Sequence, residues 1–389
     1  MEIKLLNDGT STYKDRFIDL QKYCFQNCER SFIASQWDAL SQDIGHAFGI
    51  LDDEFLASSL TISNYTISFY GHLVSMGGIG GVSTASTYRS KGVCSKLLKH
   101  SLEYMNDQGI VFSALAPFMY EFYEKFGYKW CYNQAIYNLK IEHLKNFRSE
   151  DALLPIDTSN TSILYQLYEK LILPYNGMCS RTPSMWEEKL VTDTYAVISQ
   201  SAMGTPTGYM LYTINSDKLC FEVKEMITES YDALESFFAF IYAHNAQVHT
   251  VKLMCLPNTN ILDILPHPRC DYHIQSGMMG RIINVQKALS YYPFKHAGAF
   301  VLKAIDSLCP WNNGCFKITI NQAHEVLVEK IDTLPDFEID IKDLSQLIFG
   351  FRTFDSLLNL GRIYLIDQDF TYFSYFNSQP HPIGLYDSF

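Results

Sequence analysis

At 389 residues the chain is too long for one ordinary core and is read as two or three domains. Its 47% hydrophobic, 14% aromatic and 19% charged residues exclude a disordered chain, and a net charge of −12 disfavours nucleic acid while suiting cationic small molecules. The N-terminus has no basic region leading into an apolar one, and no run of about 18 apolar residues occurs, so a cytoplasmic protein with no membrane partner is expected.

Along the chain, residues 45–84 alternate with period two, broken by Asp52-Asp53, Asn64 and Gly71, which predicts an antiparallel meander of about four strands. After Gly92 the apolar positions Val93, Leu97, Leu98, Leu102 and Met105 share one helical face, and Asp107-Gln108-Gly109 supplies a stop. An apolar strand at 110–115, a short aromatic helix at 120–126 and a closing strand pair at 128–139 complete an α+β unit. The charged stretch 142–151 and the polar residues after it read as a linker. A second unit follows, with helices near 164–173 and 231–245 and strands at 208–214 and 220–223; a third begins near Arg281. The expected boundaries are 1–147, 148–282 and 283–389. Ten irregularly spaced cysteines, with no Cys-x-x-Cys pair, read as reduced packing residues. Cys24 and Cys28 lie one helical turn apart but lack the remaining ligands of a metal site, and no metal is expected.

The turn Arg89-Ser-Lys-Gly92 opens the predicted helix, whose first N–H groups and positive macrodipole end favour an anion. An ordinary helix start with a solvated basic face fits the same four residues. The preceding Met76-Gly-Gly-Ile-Gly-Gly-Val-Ser-Thr84 packs four glycines into a strand-like run, as bulges and close ligand approaches do. The order of glycines, strand and helix is not the dinucleotide fingerprint, and a Walker P-loop is absent.

A glycine-broken strand followed by a basic glycine turn resembles the pyrophosphate site of the GNAT acyltransferases. Their Arg/Gln-x-x-Gly-x-Gly/Ala is met here by Arg89-Ser90-Lys91-Gly92-Val93-Cys94, with Cys94 in the place of Gly or Ala. The segment Ser113-Ala-Leu-Ala-Pro-Phe-Met-Tyr-Glu-Phe-Tyr-Glu-Lys-Phe-Gly-Tyr128 narrows this to a similarity with the enhanced-intracellular-survival (Eis) family of N-acetyltransferases. That resemblance implies tandem GNAT acyltransferase domains followed by a sterol carrier protein-like α+β domain, acetyl-CoA as co-substrate, no metal, and a homo-oligomer, a hexamer in the family.

The resemblance also assigns roles. Acyl transfer from a thioester to an amine needs a base for the ammonium, donors for the carbonyl oxygen and a proton for the departing thiolate. By position Tyr123 is the acid, although from the residues alone it reads as a packing aromatic. The base is the C-terminal carboxylate, here Phe389, which would otherwise read as a frayed end. With an ordinary pKa of about 3.5 it is a weak base that needs a water relay or burial. Val82, Ser83 and Thr84 would pair with pantetheine, Ser90, Lys91, Gly92, Val93, Cys94 and Ser95 would hold the pyrophosphate, and Phe118 and Met119 would flank the thioester. Phe25 and Trp37 would wall the amine pocket, with core packing the other reading. The acceptor is a small-molecule or lysine amine; the family's acidic pocket residues are not clearly kept, which leaves polycationic drug, polyamine and protein lysine open. Two other readings are a non-catalytic protein whose third domain holds an apolar ligand, and a tRNA-dependent aminoacyltransferase, which a net charge of −12 opposes.

Overall fold

The structure, a computed structural model, describes all residues except 157–160, 191–193, 258, 260, 369, 372–373, 378 and 388–389. The chain opens with β1 (Glu2–Leu5), α1 (Lys14–Cys24), α2 (Arg30–Ala39), β2 (Gly45–Asp52), β3 (Phe55–Phe69) and β4 (His72–Thr84), then α3 (Val93–Asp107), β5 (Phe112–Leu115), α4 (Tyr120–Glu124) and β6 (Lys129–Trp130). Next come β7 (Asn133–Lys140), β8 (Ala152–Ile156), α5 (Thr161–Ile172), β9 (Cys179–Ser180), α6 (Pro183–Lys189), β10 (Tyr195–Gln200), β11 (Pro206–Asn215) and β12 (Cys220–Thr228). They are followed by α7 (Tyr231–Tyr242), β13 (Thr250–Cys255), β14 (Asp271–Ser276) and β15 (Met279–Ile282). The last part holds α8 (Val285–Ser290), β16 (Gly298–Ile305), β17 (Gly314–Ile320), β18 (Val326–Ile331), β19 (Phe337–Asp340), α9 (Ile341–Phe349), α10 (Phe354–Asn359) and β20 (Ile363–Leu365).

The described strands form three sheets. The first runs β1-β2-β3-β4-β5-β15-β6 with β9 on β3, the second β14-β7-β13-β12-β11-β10-β8, and the third β18-β17-β16-β19-β20. The meander expected at 45–84 is three long strands rather than about four, because Asn64 stays in register opposite Gly77 with its side chain on the exposed face. The expected linker contains the edge strand β8, where Pro155 costs little because an edge has a free side. Helix α3 lays Val93, Leu97, Leu98, Leu102 and Met105 on the first sheet, burying its apolar stripe.

The strand pair expected at 128–139 is split. β6 stays in the first sheet, whereas β7 enters the second between β13 and β14. In return β15 crosses back between β5 and β6, with Met279 opposite both Leu115 and Trp130. β7 thus lies within 1–147 in sequence but in the second sheet in space, and β15 within 148–282 but in the first.

Two buried side chains tie the units together. Asn176 is fully buried: its Oδ1 accepts from the Tyr70 N–H (2.7 Å), its Nδ2 donates to the Phe349 carbonyl (2.9 Å), and its own N–H donates to the Pro382 carbonyl (2.8 Å). Arg281 on β15 is also buried, donating to the Phe126 carbonyl and pairing with Asp306. Beneath the third sheet Phe300, Phe337, Phe354 and Phe376 pack ring against ring, with Phe354 and Phe376 stacked at 4.8 Å. No helix among the described residues is long and apolar enough to cross a membrane.

Candidate active site

β4 and β5 are parallel, in register from Met76↔Phe112 to Ile79↔Leu115. β4 then runs on through Thr84 while β5 ends, so the two strands part and leave the five residues 80–84 without a partner on that side. A register shift between Ser59 and Thr61 against β4 marks a bulge at the same place, with Gly81 at φ +54°. Gln21 of α1, 4% exposed, locks the bulge: its Nε2 donates to the Gly81 carbonyl at 2.6 Å, with Ser59 Oγ and Ser83 Oγ each at 3.1 Å. The Ser83 carbonyl also accepts from Ser58 Oγ at 2.7 Å. Val82 is half-buried beside it, and the Thr84 carbonyl accepts from Arg89 Nε at 3.4 Å.

The turn into α3 is built by left-handed residues, Ser90 at φ +59° and Gly92 at φ +75°. Gly92 is the helix cap, no side chain caps it, and a Cβ there would meet open space. The first-turn amides of Val93, Cys94 and Ser95 therefore lack a side-chain acceptor, which is the arrangement an anion completes. Arg89 and Lys91 are exposed on the turn, their cations 5.7 and 5.4 Å from the rings of Tyr23 and Tyr88.

At the other end of the cleft, Pro117 follows β5, then Phe118 and Met119, 68% and 54% exposed, then α4. Tyr123 of α4 is 2% exposed, its ring 5.4 Å from Phe118 and 5.1 Å from Phe122. Burial pushes its phenol well above the ordinary value, and the nearby Cys94 and Tyr128 add to the effect. Among the described residues its hydroxyl has no hydrogen-bond partner. Tyr128, in contrast, is committed: its hydroxyl donates to Ser113 Oγ (2.8 Å), which donates to the Gly77 carbonyl (2.7 Å). Cys94, half-buried on the first turn of α3, has its thiol pushed up to about 11 by burial, with a Thr84 hydrogen bond opposing.

The structure thus brings Tyr123, Cys94, Phe118 and the α3 start to one cleft. Trp37 is elsewhere: it is 3% exposed with its ring 5.1 Å from Phe17, so it fills the α1–α2 core. Phe25 is exposed at the end of α1. Phe389 lies outside the described residues, but the chain before it docks beside the cleft. Tyr386 and Asp387, with Ala116, Pro117, Tyr120 and Tyr132, line a cavity of about 270 Å³. Sequence reasoning missed Gln21, Asn176, Arg181 and Asp387, whose partners lie 38 to 206 residues away.

Residues 6–131 and 177–282 match two families each described as an acetyltransferase (GNAT) domain, and residues 285–374 match a sterol carrier protein domain. An uncharacterized N-acetyltransferase of Streptomyces avermitilis is 19% identical over 355 residues, spanning 84% of this chain and 85% of that protein. A probable N-acyltransferase from Enterococcus faecalis V583 is 25% identical, with a TM-score of 0.91 over 100% of this chain and 99% of that one. Eis1 of Mycobacterium abscessus is 16% identical with a TM-score of 0.80, and a GCN5-related N-acetyltransferase of Anabaena variabilis 22% identical at 0.88, each over 100% of both chains.

Proposed function

The chain belongs to the GNAT N-acetyltransferases, with two GNAT domains and a sterol carrier protein domain, and on that premise we propose that it acetylates a primary amine in the first domain's cleft. The co-substrate is acetyl-CoA, which supplies an activated acyl carbon on a thioester. The observation that carries this reading is the parting of β4 from β5, which runs from an uncapped, glycine-started helix to the unpartnered Tyr123 hydroxyl.

Residues 82–84 offer backbone groups to pantetheine, the turn from Arg89 to Ser95 holds the pyrophosphate, and Phe118 and Met119 cover the thioester. The amine nitrogen attacks the acyl carbon directly, forming N–C as C–S breaks. The Phe389 carboxylate takes the ammonium proton before attack, and Tyr123 gives its proton to the departing sulfur. A phenol raised by burial stays protonated, but passing that proton to a thiolate of pKa about 8.5 is uphill. The transfer is therefore timed to the moment when positive charge on the attacking nitrogen offsets it. Phe25 fits the acceptor's approach, and Trp37 acts behind it through packing on α1. Against a protein that merely holds an apolar ligand stands the third unit's interior, filled by its own phenylalanine rings.

Thiol release from acetyl-CoA is measured with spermidine, tyramine, an aminoglycoside and a lysine peptide, for the wild type, Tyr123→Phe and a form extended by two residues beyond Phe389. At least one amine is turned over, and each change slows it by about tenfold or more. If neither change does so, the assigned acid and base are wrong.

A further inference from the structure

The second domain repeats the strand geometry of the first without its anion site. β12 and β13 are parallel, in register from Cys220↔Thr250 to Val223↔Leu253, after which β12 runs on alone to Thr228. A register shift between Leu211 and Tyr212 places a bulge beside this opening, as in β4. The turn into α7, however, is Glu229-Ser230. It has no glycine, Ser230 caps the helix by accepting from the Ala233 N–H, and Glu229 puts a carboxylate where a phosphate would approach.

The opening is filled by the chain's own C-terminal segment. Gly384 N–H donates to the Asn176 carbonyl (3.0 Å), and the Tyr386 hydroxyl donates to the Met226 carbonyl (3.3 Å) in the unpaired part of β12. Tyr386 packs in the cluster that contains Leu256, just past the end of β13. Asp387 then enters a buried ionic network. Arg181, 6% exposed, donates from Nε and Nη2 to Asp387 (2.9 to 3.2 Å) and from Nη1 and Nη2 to Glu225 (2.8 Å each). Lys189 reaches both carboxylates, and the Arg181 guanidinium lies 4.3 and 4.6 Å from the rings of Tyr168 and Trp186.

We propose that the second domain has become the receptor for the C-terminal segment, and that Arg181 is a positioning residue which, through Asp387, sets the chain end for acyl transfer in the first domain. The proposal rests on the reading of the chain end as the base. Two extended residues span at most about 7 Å, so fixing Asp387 at the cavity beside Ala116 and Pro117 confines the carboxylate to the mouth of that cleft. Burying two charges on each side is costly, and such a network is kept where geometry matters more than stability.

The test combines Arg181→Gln, Asp387→Asn and a chain ending at Asp387, each at full length otherwise. With the panel amine of highest turnover, Asp387→Asn and Arg181→Gln each lower kcat by about tenfold or more and leave the KM for acetyl-CoA within about twofold. In the chain ending at Asp387, adding Arg181→Gln lowers kcat no further, because nothing remains to position. Amide exchange at 383–386 speeds up by about tenfold in Asp387→Asn, which tests the docking without any turnover. Unchanged exchange, or effects of truncation and Arg181→Gln that multiply, overturn the proposal. If truncation abolishes turnover while both point variants keep it, the clamp fails and the base reading stands; if truncation changes nothing, both fail.

Discussion

Tyr123 and Cys94 face each other across the acyl-transfer cleft, and burial acts on both in the same direction, holding the proton on. For an acid this is useful over a wide range. Because the folded phenol loses its proton only well above its ordinary value of about 10, any alkaline fall in kcat due to Tyr123 lies above pH 10. A pH–rate profile of thiol release checks this: wild type stays flat to that limit, and a limb near pH 8 belongs to another group. Cys94, with its thiol pushed up to about 11, stays neutral at physiological pH and acts by its small size. Cys94→Ala therefore keeps the KM for acetyl-CoA within about twofold. Glycines divide by what surrounds them. Gly92→Ala meets open space and costs about 1–2 kcal/mol for its left-handed backbone alone. Gly127→Ala, also left-handed at φ +78°, drives its Cβ into the buried Arg281 guanidinium and costs about 3 kcal/mol or more, read from thermal melts. The residues legible in the sequence were those whose signal is local, the Arg89 to Gly92 turn and the aromatic segment around Tyr123. Arg181 and Asp387, 206 positions apart, carry no local signature.

Helices and strands were legible where one face alone is buried or where a short run is buried throughout. α3 shows its stripe at helical spacing, and Phe112–Leu115 is apolar because both faces of β5 are covered. The exchange of β7 for β15 was not, since four residues, Met279–Ile282, hold too little pattern to announce which sheet they join. At this scale the two parted strand pairs differ in what fills them, an open slot in the first domain and a peptide with a buried network in the second. Burial alone would raise the Glu225 carboxyl, but Arg181 and Lys189 outweigh it and hold it well below the ordinary carboxylate range. A depressed carboxylate contributes stability that is complete above its unfolded value of 4.5 and is lost as pH falls through the folded value, about 2. The melting-temperature gap between wild type and Glu225→Gln is thus largest at pH 5 and above and shrinks as pH falls toward 2. A gap independent of pH would mean that the network carries no net ionic stabilisation.

Across the whole molecule the exchanged strands make sequence boundaries poor guides to folding units. A fragment of residues 1–147 retains β5 and β6 but loses β15, which pairs with both, so two edges rich in buried side chains open to solvent. The same fragment carries β7 with neither β13 nor β14 to receive it. The remainder, 148–389, has a gap in its second sheet where β7 belongs, and its β15 has no partner. Asn176 and Arg281 sharpen the loss, because each leaves buried polar groups unsatisfied when the unit it bridges is absent. Residues 1–147 expressed alone are therefore expected to aggregate or to lack dispersed amide resonances, whereas co-expression with 148–389 restores a soluble complex on gel filtration. A well-dispersed spectrum from 1–147 alone would show that β15 is dispensable to the first sheet. The same interlocking gives the second domain its purpose: a domain that must remain attached to close the first sheet is free to lose its own anion site, and its strand opening becomes a fixed seat for the chain end.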